Sequence, residues 1–283
     1  MRGPRPTLEL PANLDPTAAS TRKLARARHH GNELLHALDT FGTPARVRRE
    51  FDFRQRKGID YKVVSGIPDP ASPDIALVFG DYVQNLRASL DYLIGEMRRD
   101  GPSGKSAFPI SRSFNEFKSA RPTKLSGILT EAASSIEQMQ VYDDTDLAQD
   151  PMRVLYRPLR WLEALWNIDK HRTIVLTSTA VEFMYATSRT GEGESGIGFE
   201  FRDNGRVAEI WIPMTEEHSD TSFFPEVRLT RPSGYRADWP SDLDQIGLDA
   251  VVAEIFRTVV WRVFLPLRGF IRWSGSGAAP LIG

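Results

Sequence analysis

Gly80-Asp81-Tyr82-Val83-Gln84-Asn85-Leu86-Arg87-Ala88-Ser89-Leu90-Asp91-Tyr92-Leu93 is the stretch on which the fold turns. Ile75, Phe79, Tyr82, Leu86, Leu90, Leu93 and Met97 recur every three or four residues through and around it, and Val78, Val83 and Ile94 widen the stripe. That spacing winds an apolar face along an α-helix. An arc this wide belongs to a helix at the centre of a bundle rather than on its skin. Ser72 reads as the N-cap, Pro73 as the first helical residue, and Gly101-Pro102-Ser103-Gly104 as the stop. Polar groups interrupt the helix: Arg87 and Asp91 are i,i+4 neighbours beside the arc, while Asp81, Asn85 and Tyr92 line its other flank.

Working outward, Asp15-Pro16 carries a cap-plus-proline signal for an earlier helix, with Leu24, Leu34, Leu35, Leu38 and Phe41 as its stripe and Gly42 as its end. From Val47 the period becomes two. Val47, Arg49, Phe51 and Phe53 share one strand face, Ile59, Tyr61 and Val63 another, and Arg56-Lys57-Gly58 between them reads as a hairpin turn. Downstream of the central helix, Ser113 and Glu116 form a capping box for a short helix that Pro122 is expected to terminate. Leu125, Ile128, Leu129, Ala132, Ile136 and Met139 mark the next helix, and an acidic loop follows. Asp150-Pro151 opens another, striped by Leu155, Leu159, Leu162 and Trp166, with Pro158 kinking or restarting it.

After His171 the character turns to strand. Thr173 to Ser188 is β-branched and aromatic, Ile197–Phe201 and Val207–Ile212 flank the hairpin signal Asn204-Gly205, and Phe223–Leu229 adds one more strand. A last helix spans about Leu248 to Leu267. The expectation is one α+β domain over 1–283, a bundle of four to five helices with a flanking antiparallel β-hairpin and β-meander. Its helical core falls near 16–41, 73–99, 124–173 and 248–267, and its strands near 46–66 and 173–229.

Composition excludes several classes. The 283 residues are 41% hydrophobic and 26% charged with a net charge of −1, which rules out a disordered tail, a collagen-like rod or a strongly basic nucleic-acid coat. With no cysteine there is no disulfide scaffold, cysteine nucleophile, zinc ribbon or iron–sulfur cluster. The most apolar stretch, Ala250–Phe270, is broken by Glu254, Arg257, Arg262 and Arg268, and the N-terminus lacks a signal-like apolar run. A bacterial cytoplasmic protein without a membrane span is therefore expected. Overall neutrality conceals a local imbalance, since residues 1 to 57 hold 12 basic against six acidic side chains.

Enzyme fingerprints are sparse. Gly191-Glu192-Gly193-Glu194-Ser195-Gly196 carries two acids that would repel phosphate, and neither HExxH nor Gly-x-Ser-x-Gly occurs. His29 and His30 point about 100° apart on a helix and cannot chelate together. No metal and no cofactor is implied. His218, among Glu216, Glu217 and Asp220, reads as surface charge.

The second notable segment is Trp166-Asn167-Ile168-Asp169-Lys170-His171-Arg172. Asp169 falls inside the apolar stripe of its helix, where a carboxylate needs a partner, and Arg87 is the candidate. Asn167 and His171 sit i,i+4 on another face near Lys170 and line an opening. Arg, Asp, Asn, Lys and His from two helices make the kind of polar set an active site needs. Two duller readings stand beside it: a buried Arg–Asp pair fixes helix register without chemistry, and Lys170, His171 and Arg172 complement a helix C-terminus.

Together these segments resemble the signature stretches of an uncharacterised bacterial protein family common in actinobacteria and their phages. In that family a helix similar to Gly80–Leu93 precedes an FPI segment, here Phe108-Pro109-Ile110, and then an NIDKHR stretch, here Asn167 to Arg172. The resemblance spans roughly residues 20 to 270. Family members usually carry histidine where this chain has Tyr92. With it the helix would read Arg-x4-His, which resembles the RNase motif of the HEPN superfamily of helical nucleases and nucleotide binders. Tyr92 cannot serve as a general base near neutral pH, its reference pKa being about 10.

Three hypotheses follow. A HEPN-like enzyme would act on RNA or a nucleotide without a metal: Arg87 holds phosphate, His171 is acid or base, Lys170 stabilises charge, and Asp91 or Asp169 orients the others. A binding module would keep the cleft and drop the chemistry. A structural protein would use the Arg–Asp network for packing alone. HEPN-like analogy also implies a homodimer.

Overall fold

A computed structural model of the chain describes residues 7–41, 46–52, 59–65, 73–99, 104–143, 151–171, 176–184, 198–202, 206–213, 222–229, 231, 239–243 and 245–271. Its elements in chain order are α1 (Ala19–Phe41), β1 (Arg46–Asp52), β2 (Ile59–Ser65), α2 (Pro73–Met97), α3 (Phe114–Lys124), α4 (Thr130–Gln138), α5 (Pro151–Val154) and α6 (Arg157–His171). Then come β3 (Leu176–Met184), β4 (Gly198–Arg202), β5 (Arg206–Pro213), β6 (Ser222–Leu229) and α7 (Leu248–Arg257). The last runs on through a π-helical stretch, Thr258–Phe264, and the turns Leu265–Leu267 and Arg268–Phe270.

The described part is mostly helical, and α2 is at its centre. Phe79, Tyr82, Leu86, Leu90 and Leu93 are fully buried, as their spacing along the wide arc requires. Side chains of this size each contribute about 1.5–3 kcal/mol by leaving water. Helix α1 packs along one side of α2, α6 along another, and the π-helical stretch closes a third. The Tyr82 hydroxyl donates to Val252 O at 2.6 Å, so the one polar atom on that buried ring is satisfied. Burial pushes its pKa well above 10. In the final helix, Leu265 N–H reaches Val260 O, five residues back, which is the wider π turn. Among the described residues no helix is long and apolar enough to cross a membrane.

Several boundaries differ from the sequence expectation. Asp15 does not cap α1. Its Oδ1 accepts from Thr17 N–H and Oγ1–H in a turn of its own, and α1 starts at Ala19, where Glu96 of α2 accepts from Ser20 N–H at 2.9 Å. Ser113 Oγ accepts from Glu116 N–H at 3.2 Å as a capping box requires, but Glu116 reaches back to Arg112 N–H. Pro122 lies inside α3: it forfeits one backbone bond close to the helix end, where Leu125 N–H still closes on Arg121 O. The helix expected from Leu125 is broken by a turn and begins only at Thr130. Gly127 holds φ at 78°, a left-handed conformation natural to glycine, and its carbonyl accepts from Arg99 N–H at 2.9 Å. Leu155 does not join the buried stripe, because α6 restarts at Arg157 with Pro158 in its first turn and leaves Leu155 exposed.

The strands correct the expected meander. β1 pairs antiparallel with β2, β2 with β5, and β5 with β4, giving the order β1-β2-β5-β4. β3 instead pairs with β6 in a separate two-stranded sheet. β3 and β6 thus pair with each other across the hairpin of β4 and β5 that lies between them in sequence. Val227 and Leu229 of β6 join the core beside α7. Ser72, Gly42, Asn204-Gly205, Asp150 and His218 lie outside the described residues.

Candidate functional site

Helices α2 and α6 run antiparallel, and three contacts set their register. Gly80 meets Asp169, Gln84 Oε1 accepts from Trp166 Nε1–H at 2.9 Å, and Arg87 Nε lies 3.5 Å from Glu163 Oε2. Gln84, Arg87 and Asp91 thus share one stripe of α2 and face Glu163, Trp166 and Lys170 of α6.

Arg87 is the middle of this set and only 2% exposed. Its Nη2 donates to Phe108 O at 2.9 Å, while Asp91 Oδ1 accepts from Phe108 N–H at 2.9 Å and lies 3.3 Å from Arg87 Nη2. An i,i+4 pair on α2 therefore satisfies both backbone polar groups of one residue in the Phe108-Pro109-Ile110 segment. The guanidinium carbon also lies 4.9 Å from the centroid of the Trp166 ring, and Lys170 Nζ lies 2.9 Å from the same centroid. Burial pushes the Asp91 carboxyl above its ordinary pKa, although Arg87 and the Phe108 N–H draw it back. Lys170 is drawn below its ordinary value, chiefly by the solvent it loses against the protein, with Glu163 opposing the shift.

The structure does not pair Asp169 with Arg87. Asp169 lies at the other end of the helix contact, against Gly80, where a Cβ on that glycine would sit 2.6 Å from Asp169 Oδ1. Burial raises the Asp169 pKa, and the neighbouring Asp81 charge raises it further. The antiparallel register explains the correction: membership of the apolar stripe fixes which face Asp169 occupies, but only the pairing of helices fixes its neighbour. Asn85 is buried, and its Nδ2 donates to Asp81 O at 2.7 Å within its own helix. Asp81 is exposed and Asn167 half-buried. His171 ends α6; its side chain, and Arg172 as a whole, lie outside the described residues.

Tyr92 faces a different region. It is 48% exposed and lines a cavity of about 490 Å³ with Ala19 of α1, Asp91, Gly95 and Glu96 of α2, and Gly104 and Ser106 of the following segment. Tyr92 and Ala19 also line an adjoining recess of about 330 Å³ whose other walls are Arg22, Lys23 and Arg26. The two hollows share Ala19 and Tyr92 and make up the α1–α2 groove, its smaller part walled by cations and its larger part mostly apolar. Among the described residues, Arg22, Lys23 and Arg26 have no ion-pair partner. Positions i, i+1 and i+4 fan over about 100° of helix, which keeps all three on the side that borders the recess.

Glu163, Gln84 and Ser106 escaped the sequence reading. Glu163, Trp166 and Lys170 are spaced i, i+3, i+7, and that spacing mirrored against Gln84, Arg87 and Asp91 was the available signal. For the groove, the signal was the basic excess of residues 1 to 57. Comparison with known proteins adds no relative: no family model, no curated protein and no solved structure matches this chain.

Proposed function

We propose that the chain is a HEPN-like helical bundle that binds a nucleotide or RNA in the α1–α2 groove, with the Arg87 network locking α2 onto α6. The observation that carries the reading is the groove itself: three unneutralised cations and an exposed aromatic ring on the wall of a cavity large enough for a small ligand. Cations that track phosphates and a ring on which a base stacks are the two components of single-strand recognition. Binding is favoured over cleavage because Arg87, the residue expected to hold phosphate, is enclosed. Only its Nη2 is held by Phe108 O and Asp91, but the residue is 2% exposed, so a phosphate could reach it only if the contact between α2 and α6 opened.

A fluorescent single-stranded RNA titrated by anisotropy at several salt concentrations tests this reading. Three phosphate contacts imply that log K falls against log salt with a slope of about −2, at roughly −0.7 per contact on single strands. The triple variant R22E/K23E/R26E, verified as folded by circular dichroism, should bind weakly and lose most of that slope. Absence of binding, or binding indifferent to salt, overturns the proposal. RNA cleavage abolished by Lys170→Ala would restore the enzyme hypothesis.

A further inference from the structure

We propose, resting on the reading above, that the 490 Å³ cavity is a nucleobase pocket selecting bases that present an exocyclic amine beside an acceptor ring nitrogen, as adenine and cytosine do. Its polar atoms divide into engaged and unengaged. Both carboxylate oxygens of Glu96 are held by the backbone N–H and hydroxyl of Ser20, so this acid offers a ligand little. Asp91 differs. Its Oδ1 takes the Phe108 N–H and the Arg87 contact, while Oδ2 takes no part in those bonds. Across the cavity wall, Ser106 Oγ is buried without a hydrogen-bond partner.

Two residues that line the cavity thus hold an acceptor oxygen outside those bonds and a buried hydroxyl without a partner, and these are the groups a base would engage. Adenine answers with its N6 amine and N1, cytosine with its N4 amine and N3, each a donor beside an acceptor. Uracil and hypoxanthine place a carbonyl where the amine would be, and that oxygen would face the Asp91 carboxylate. Leaving a half-buried charged acceptor opposed rather than bonded is the kind of mismatch that discriminates. The Tyr92 ring supplies a face on which any base can stack, and the basic recess holds the phosphate common to all.

The experiment is calorimetric titration of the full chain with AMP, IMP, CMP, UMP and inorganic pyrophosphate at fixed salt. Expected are AMP over IMP and CMP over UMP by at least about tenfold. Asp91→Asn keeps an oxygen for the Phe108 N–H and turns an amide donor toward the cavity, so its preference should invert toward IMP and UMP. Ser106→Ala leaves the Arg87 contacts untouched and should weaken all four nucleotides while the AMP-over-IMP preference persists, because a hydroxyl donates to a ring nitrogen or accepts from a ring N–H. Equal affinity for all four nucleotides overturns the base-pocket assignment alone, as does a preference unchanged in Asp91→Asn. No binding of any nucleotide or of pyrophosphate overturns it together with the groove reading.

Discussion

Asp169 rests against Gly80, with the space a Cβ would need already taken by its carboxylate: the added carbon would sit 2.6 Å from Oδ1. A glycine in mid-helix normally costs about 1 kcal/mol relative to alanine. Here it admits α6 to α2. Gly80→Ala is therefore expected to lose stability, by about 1–3 kcal/mol as for other overpacking changes. In an Asp169→Ala background the same substitution should become neutral or stabilising by up to about 1 kcal/mol, the helix-propensity gain. Urea unfolding of the four proteins in this double-mutant cycle reads the coupling. Additive effects would mean that the two residues do not meet.

Removing the Arg87 side chain leaves Asp91, Glu163 and the Phe108 carbonyl without their cation. Arg87→Ala is expected to cost about 3–5 kcal/mol, the range for breaking one side of a buried pair. Chemical denaturation measures it. A loss below about 1 kcal/mol would mean the network is a surface ornament rather than the lock between α2 and α6.

Asp169 gives a pH signature whose sign is set by its raised pKa. A folded-state carboxyl that binds its proton more tightly than the unfolded one contributes stability at low pH. That contribution fades as pH rises from the unfolded value, about 3.9, through the folded one. Asp169→Asn escapes this loss. Its melting temperature should exceed that of the native chain by more at pH 7 than at pH 4, and a constant difference across that range would refute the assignment.

Glu96 holds the start of α1 through Ser20. Glu96→Ala removes a charged cap and is expected to cost about 1–2 kcal/mol. Amide hydrogen exchange should show Ser20 and its neighbours opening sooner while α6 amides keep their protection. Uniform acceleration across the chain would instead indicate global destabilisation.

What was legible in the sequence was whatever one helix face decides by itself. The burial of Phe79, Tyr82, Leu86, Leu90 and Leu93 follows from spacing alone, and Ser113–Glu116 follows from capping chemistry. Features set by contacts between distant segments were not legible. Asp15 lost the α1 cap to Glu96, some eighty residues on, and β3 found its partner in β6 rather than in the next strand along. The site divided in the same way. Arg87 and Asp91 were readable as an i,i+4 pair, but their shared hold on Phe108 and the separation of Asp169 required the register of α2 against α6. Mid-helix Gly80 was the clue to that register, for a Cβ there would sit 2.6 Å from the Asp169 carboxylate.

The most direct measurement is a nitrogen–proton NMR titration of the isotope-labelled chain with a short single-stranded RNA. Two regions act as opposing reporters: the amides of Arg22, Lys23, Arg26, Tyr92 and Ser106 around the groove, and the Trp166 indole N–H that donates to Gln84 between α2 and α6. The expected result is movement of the groove amides with the Trp166 indole unmoved. Movement of that indole and of Lys170, with the α1 amides unchanged, would contradict the account and return the ligand to the Arg87 cluster.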